Sequence, residues 1–355
     1  MSFPTLDSLI LDAINTIESG TKTERNRAIA VRYFGFDGQG GSSMQEAGST
    51  YGLTRESVRQ ITNKMAMKLK DSFSVPVELK EAIENIDISL PASAKDLESN
   101  LADINILSHN YMIEGILNIA KILSVKTKAT QVIKHNRVRF IAGDKHIDSA
   151  QVIESLAISE ISHNGAASLD SLSKVIDGAS KVVRMAFAKA VMNTIPELKW
   201  TDETECWMFF IGRGRNRLLR RLEQVFSLFN DVHITSLKEA IERNWNKNKG
   251  ENTKVLSEDV MLKVIESSGD YIIHDGGKIT SKNHFDSKNL IKEFEFKIYN
   301  AILNSDTGTC REKELEDKLV LKEKDKWNFS VALNYCPLII RHKRGVYKLV
   351  GTPRK

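Results

Sequence analysis

Hydrophobic positions near the start of the chain recur at helical spacing. Leu6, Leu9, Ile10, Ala13, Ile14 and Ile17 form a stripe at three- and four-residue intervals, which predicts one amphipathic helix within residues 1–20, packing inside the chain or on a second subunit. Over residues 43–61 the pattern divides into two shorter helices. Ser43 followed by Glu46 has capping-box spacing, Gly52 marks a turn, and Thr54 heads a second helix with Glu56 at its positive dipole end. At about 100° per residue, Val58, Ile61, Met65 and Leu69 share one arc, and Arg55, Glu56, Arg59, Gln60 and Asn63 share a separate polar one. One face packs and the other is left to solvent or a partner.

After Pro76, which ends the preceding helix, a coarser pattern recurs. Helices over 77–86, 92–104 and 108–123 precede strands over 130–134 and 137–142, with His135 and Asn136 as the turn. Helices over 148–163, 168–176 and 180–193 precede strands over 198–201 and 205–211, and helices over 236–245 and 257–266 precede strands over 271–274 and 278–280. The last set has helices over 290–303, 311–319 and 327–335, then strands over 338–341 and 346–350. Three helices closed by a hairpin describe a winged helix. The expected fold is therefore mainly α with small β-hairpins: a helix-turn-helix followed by tandem winged-helix-like modules. The expected boundaries are 1–20, 21–75, 76–145, 146–230, 231–285 and 286–355.

The polar arc suits a DNA major groove. Arginine donates in pairs to guanine, glutamine pairs with adenine and glutamate accepts from cytosine, each good pair discriminating by roughly 1–3 kcal/mol. The competing reading is a solvated helix surface with intrahelical ion pairs.

Residues 21–69 resemble region four of the bacterial housekeeping-type sigma factors, which recognises the upstream promoter element. The resemblance is carried by Arg32, Tyr33, Phe34, Gly35, Phe36 and Asp37 in a leading helix and loop, and by Met44, Gln45, Glu46, Ala47 and Gly48 in a support helix. It continues through Thr54, Arg55, Glu56, Ser57, Val58, Arg59, Gln60 and Ile61 in a recognition helix, with Lys64, Lys68 and Leu69 at its end. It covers about one seventh of the chain. It implies that Arg55, Glu56, Arg59 and Gln60 contact bases and that Arg25, Arg27, Lys64 and Lys68 contact phosphates; Asn63 on the same polar arc is a further base-reading candidate, and Ser43 and Thr54 at the helix starts are further phosphate-binding candidates. Ser57 stands where the family usually has arginine, which removes one basic contact. Gly38, Gly40 and Gly41 make the intervening loop glycine-rich, as in a flexible linker. Only about twenty residues precede the match, too few for the region-two domain that captures melted promoter bases.

Two basic clusters lie outside this segment. Arg213, Arg217, Arg220 and Arg221 share a helix face opposite Leu218, Leu219, Leu222, Val225 and Phe226, a spacing that can clamp successive phosphates or be solvated. Arg341, His342, Lys343 and Arg344 occupy the terminal hairpin and Arg354 and Lys355 the tail; Lys343 and Arg344 are candidate phosphate contacts of a wing.

The remaining composition narrows the choice. The 355 residues are 41% hydrophobic and 27% charged, with a net charge of +5, which mildly favours a polyanionic partner. Cys206, Cys310 and Cys336 have no metal-ligand spacing and cannot all pair, and read as reduced cytosolic thiols. No apolar run is long enough to span a membrane, and the first residues lack the basic start of a secretory signal. No phosphate-binding loop, nucleophile elbow or zinc-protease motif occurs, and His109, His163 and His274 are scattered. The carboxylates Glu312, Glu314, Glu316 and Asp317 lie among lysines on a solvated helix.

The sequence thus reads as a non-enzymatic, cytoplasmic and nucleoid-associated regulator of bacterial or phage type. It reads a promoter-like element in double-stranded DNA and needs no cofactor, metal or membrane. Core RNA polymerase and a second copy of the chain are further candidate partners. Two alternatives stay open: a sigma-like polymerase-associated factor without the melting domain, and a protein-interaction scaffold built of winged-helix modules.

Overall fold

Two of the N-terminal helices, the third and the fourth, begin where a side chain accepts a free amide. In the computed structural model, which describes residues 4–17, 22–108, 111–212, 216–245 and 256–354, α1 (Leu6–Ile17) and α2 (Thr23–Phe34) precede α3 (Met44–Ser49). At the head of α3, Ser43 Oγ accepts from the Glu46 amide at 3.2 Å and the Ser43 amide donates to Glu46 Oε2 at 2.8 Å, completing the capping box. Thr54 Oγ1 accepts from the Ser57 amide at 3.3 Å and opens α4 (Arg55–Ser72).

Among the described residues from Pro76 onward one order of elements recurs four times: a helix, a short strand, two helices and a hairpin. The first set is α5 (Val77–Ser89), β1 (Ala92–Ser93), α6 (Ala94–Asp103), α7 (Ile113–Ile122), β2 (Gln131–His135) and β3 (Val138–Ala142). The second is α8 (Ser149–Asn164), β4 (Ala167–Ser168), α9 (Leu169–Ser173), α10 (Lys181–Met192), β5 (Leu198–Trp200) and β6 (Trp207–Phe210). The third is α11 (Arg217–Phe226), β7 (Phe229–His233), α12 (Ile234–Trp245), α13 (Glu258–Ser268), β8 (Tyr271–His274) and β9 (Lys278–Ser281). After the single turn of α14 (Ser287–Leu290) come α15 (Glu293–Leu303), β10 (Thr309–Arg311), α16 (Glu312–Leu319), α17 (Lys326–Tyr335), β11 (Ile339–Lys343) and β12 (Val346–Leu349).

In every set the short first strand pairs with the second strand of its own hairpin, so the strand order is first, third, second. The described strand pairs are all antiparallel, and β13 (Gly351–Pro353) adds to the free edge of β7. The chain is mainly helical with small antiparallel sheets.

Several boundaries differ from the sequence reading for physical reasons. The first hairpin turns at Asn136 and Arg137, both with positive φ (47° and 69°), one residue later than expected. Residues 92 and 93 leave the expected helix to pair with Ile141 and Phe140, and Ser93 Oγ then caps α6. The helix expected over 290–303 breaks at Ile291 and restarts after Lys292.

The chain forms two compact units, Met1–Ile153 with Ser173–Ile195, and Glu154–Leu172 with Pro196–Lys355. In the first, Leu6, Ile10 and Ile14 of α1 join Phe34, Met65, Leu69, Leu79, Ile83, Ile116 and Ile141 in one apolar cluster. Phe140 meets Phe187 edge to face at 5.4 Å. The glycine-rich loop is closely packed rather than a loose linker. Gly40 has φ +78°, and an added Cβ would stand 2.7 Å from Met112 Sδ.

In the second unit Leu218, Leu222, Val225 and Phe226 bury one face of α11, and Phe226 lies 5.3 Å from the Tyr271 ring. Asn216 Oδ1 accepts from the Leu219 amide at 3.1 Å, and its Nδ2 donates to the Gly165 carbonyl at 2.8 Å. Among the described residues no helix is long and apolar enough to cross a membrane.

Candidate nucleic-acid interface

The polar face of α4 is built by what supports it from behind. Val58, Thr62, Met65 and Leu69 are buried, and Ile61, half-buried, packs on the cluster of Ile29, Ala47 and Val58. Thr62 was not expected inside; its hydroxyl donates to the Val58 and Arg59 carbonyls at 3.0 and 3.2 Å, which removes the cost of burying it. Gly48 lets α3 approach α4, because an added Cβ would fall 2.6 Å from Val58 Cγ2 and 3.0 Å from the Leu53 carbonyl. The turn glycine, Gly52, has φ +62° and open space around it.

Arg55, Glu56, Arg59, Gln60 and Asn63 are all exposed on this backed helix. Three of them form one cluster. Arg59 Nε donates to Glu56 Oε2 at 2.7 Å, its Nη2 donates to Glu56 Oε1 at 2.6 Å, and Gln60 Nε2 donates to Glu56 Oε1 at 3.1 Å. Hydrogen bonds from Arg59 and then Gln60 hold the Glu56 carboxyl down to about 2. The intrahelical pair that sequence reading weighed against base contact is therefore present in the protein by itself. Among the described residues the side chains of Arg55 and Asn63 make no hydrogen bond or ion pair.

The phosphate candidates of this segment fall into three groups. Arg25 and Lys64 line a concavity of about 340 Å³ beside α4, together with Lys22, Asn26, Ser57 and Gln60. Arg27 and Lys68 instead donate to the Asn15 and Ile17 carbonyls at the C-terminal end of α1, the latter at 3.3 Å. Cations there satisfy carbonyls that the helix leaves unpaired and meet the negative dipole end. Ser43 and Thr54 spend their hydroxyls as caps of α3 and α4.

The distal clusters are in the second unit. Arg217 and Arg221 on α11 are half-buried and Arg220 is exposed, while Arg213 lies outside the described residues. Arg221 Nη1 donates to Gln224 Oε1 at 2.8 Å. Arg341, His342, Lys343 and Arg344 are all exposed on the β11–β12 hairpin, which carries a bulge between Arg341 and Lys343. Arg354 donates from Nε to the Phe229 carbonyl at 3.1 Å, and Lys355 lies outside the described residues.

Sequence reasoning missed Lys22, which a plain scan for cations ahead of α2 would have flagged, and the aromatic wall beside the α11 arginines, which comes from a helix about a hundred residues further on. Cys310 and Cys336 are buried and Cys206 is exposed, and none of the three is in a disulfide. Among the described residues no group of three or more His, Cys, Asp or Glu side chains is placed to hold a metal ion. Compared with known protein families, curated proteins and solved structures, the chain gives no match.

Proposed function

We propose that this chain is a sequence-specific DNA-binding transcription regulator that reads a promoter-like element of duplex DNA through α3 and α4, acting as a sigma-like helix-turn-helix. The observation that carries the proposal is the exposed face of the first turns of α4. Arg55, Glu56, Arg59, Gln60 and Asn63 present donors and acceptors matched to base edges, and Lys22, Arg25 and Lys64 lie beside them where a phosphate strand borders a major groove. The Glu56 bridge fixes Arg59 and Gln60 in one arrangement before DNA arrives, and Arg59 Nη1 stays outside that pair. Preorganised side chains lose less freedom on binding.

The four C-terminal repeats have the order of elements and the strand order of winged helices, and we assign them to that class. The exposed Lys343 and Arg344 then act as a wing that extends the footprint along the backbone. Bound protein would act by occupancy at a promoter, blocking or recruiting RNA polymerase.

The test is selection of duplexes from a random-sequence pool with the full chain, followed by affinity measurement over a range of salt. Enrichment of a short recurring element, bound with a steep salt dependence, is expected. No enriched element, or salt-insensitive association, would overturn the proposal in favour of a protein-interaction scaffold.

A further inference from the structure

A cavity of about 550 Å³ lies within the second unit, between α11, the start of α15 and α17. Its walls combine two chemistries that sequence reasoning did not connect. Arg217, Arg220 and Arg221 of α11 and Lys292 before α15 bring positive charge, and Trp327 and Tyr335 of α17 bring aromatic rings. The volume is in the range of pockets that enclose small ligands, about 300–1,000 Å³.

The charge on these walls is positive. Four lining cations stand against two carboxylates: Glu293 pairs with Lys297 at 2.6 Å, and Glu295, whose Oε2 accepts from the Lys292 amide at 3.0 Å, acts on Arg221, so the lining keeps a net positive charge. Burial, and then the neighbouring Arg221 guanidinium, holds Arg217 below the usual arginine range, and burial does the same for Arg221. Gathering guanidinium groups in a half-buried place costs free energy that an anion would return. Trp327, 73% exposed, adds the second element. Arginines that only follow a duplex backbone have no use for an exposed indole beside them, here supplied by α17, because bases in a duplex are already stacked.

We propose that this cavity binds a nucleoside phosphate, with Trp327 stacking on the base and Arg217, Arg220 and Lys292 donating to the phosphate. Arginine and tryptophan together are the pair that single-stranded and free nucleotides use, one for the phosphate and one for the ring face. The nucleotide is either a free effector or one unit of a single strand. The inference does not rest on the duplex reading of α4.

The test is equilibrium titration of the full chain with ATP, GTP, adenosine, inorganic phosphate and a 5′-phosphorylated single-stranded oligonucleotide. ATP or GTP should saturate, with adenosine and inorganic phosphate each at least about tenfold weaker, since each keeps half of the contacts. Trp327→Ala and Arg220→Ala replace exposed side chains, so both should keep the wild-type melting temperature, and each should weaken binding about tenfold. Binding of the oligonucleotide without the free nucleotides, with the same two dependences, upholds the site and assigns its source to a strand. The proposal is overturned if no probe binds, if both variants bind as the parent does, or if inorganic phosphate binds as tightly as ATP.

Discussion

Arg59 lies across Glu56 in a two-point bridge, Nε to Oε2 at 2.7 Å and Nη2 to Oε1 at 2.6 Å, on the exposed face of α4. Gln60 joins the same carboxylate at 3.1 Å. The bridge holds three of the five proposed base-reading side chains in one arrangement, so a change at Glu56 also disturbs Arg59 and Gln60.

Replacing Arg59 with Ala should lower affinity for the selected duplex by about ten- to a hundredfold and leave affinity for an unrelated duplex nearly unchanged. Gel-shift titrations on both duplexes measure the ratio, and an unchanged ratio would remove Arg59 from base reading.

The Glu56 carboxyl should titrate near 2 by carbon-detected NMR, because Arg59 and Gln60 hydrogen-bond its charged form. A depressed folded-state value means that the contribution of the bridge is fully present above the ordinary carboxylate range and is lost progressively as pH falls from there through about 2. DNA affinity should therefore show no Glu56 transition in neutral or mildly acidic buffer. In Arg59→Ala the midpoint should rise towards the ordinary range.

Gly48→Ala should destabilise the first unit by about 1–3 kcal/mol, because the new methyl group meets Val58 Cγ2 at 2.6 Å and the Leu53 carbonyl at 3.0 Å. Gly52→Ala meets nothing and should cost about 1 kcal/mol through its positive φ alone. Urea unfolding of the two variants separates steric conflict from backbone strain.

Lys64→Ala should flatten the dependence of log affinity on log salt by about one unit, as expected for one lost phosphate contact. Lys68→Ala should leave that slope unchanged and lower thermal stability instead, since its ammonium is engaged by the Ile17 carbonyl at 3.3 Å. Equal slope changes in the two variants would show that Lys68 leaves α1 to reach DNA.

Arg139 of β3 pairs with Glu98 of α6 at 2.8 Å and with Glu114 of α7, with all three side chains a quarter exposed or less. Arg139→Ala leaves two facing carboxylates without their cation and should cost about 2 kcal/mol, measured by chemical denaturation. Part of that loss should return in Arg139→Ala combined with Glu114→Gln.

Local chemistry was legible in the sequence wherever cause and effect lie three or four residues apart. The Ser43 and Thr54 caps and the opposed faces of α4 and α11 depend on such intervals, and the structure has them where the spacing put them. Even the Glu56–Arg59 pair was foreseeable as the rival of base reading. Legibility fell at strands of two or three residues. β1, β4 and β10 are too short to show a period of two and exist only because a hairpin strand tens of residues later supplies their hydrogen-bond partners. β13 was missed for the same reason, since Gly351–Pro353 becomes a strand only beside residues 229–232, whereas β7 has five residues but buries Phe229 and Val232 three positions apart and so shows no period of two.

By itself the sequence determined the helices, their caps, their amphipathic faces and the cations available, because these follow from side chains within one or two turns. Tertiary structure alone decided the use of those cations. It assigned Arg27 and Lys68 to the end of α1, left Arg25 and Lys64 beside the polar face of α4, and brought the arginines of α11 to one cavity with an indole about a hundred residues away. A charge finds its partner by distance in space, and a linear pattern carries that distance only along one helix or one strand.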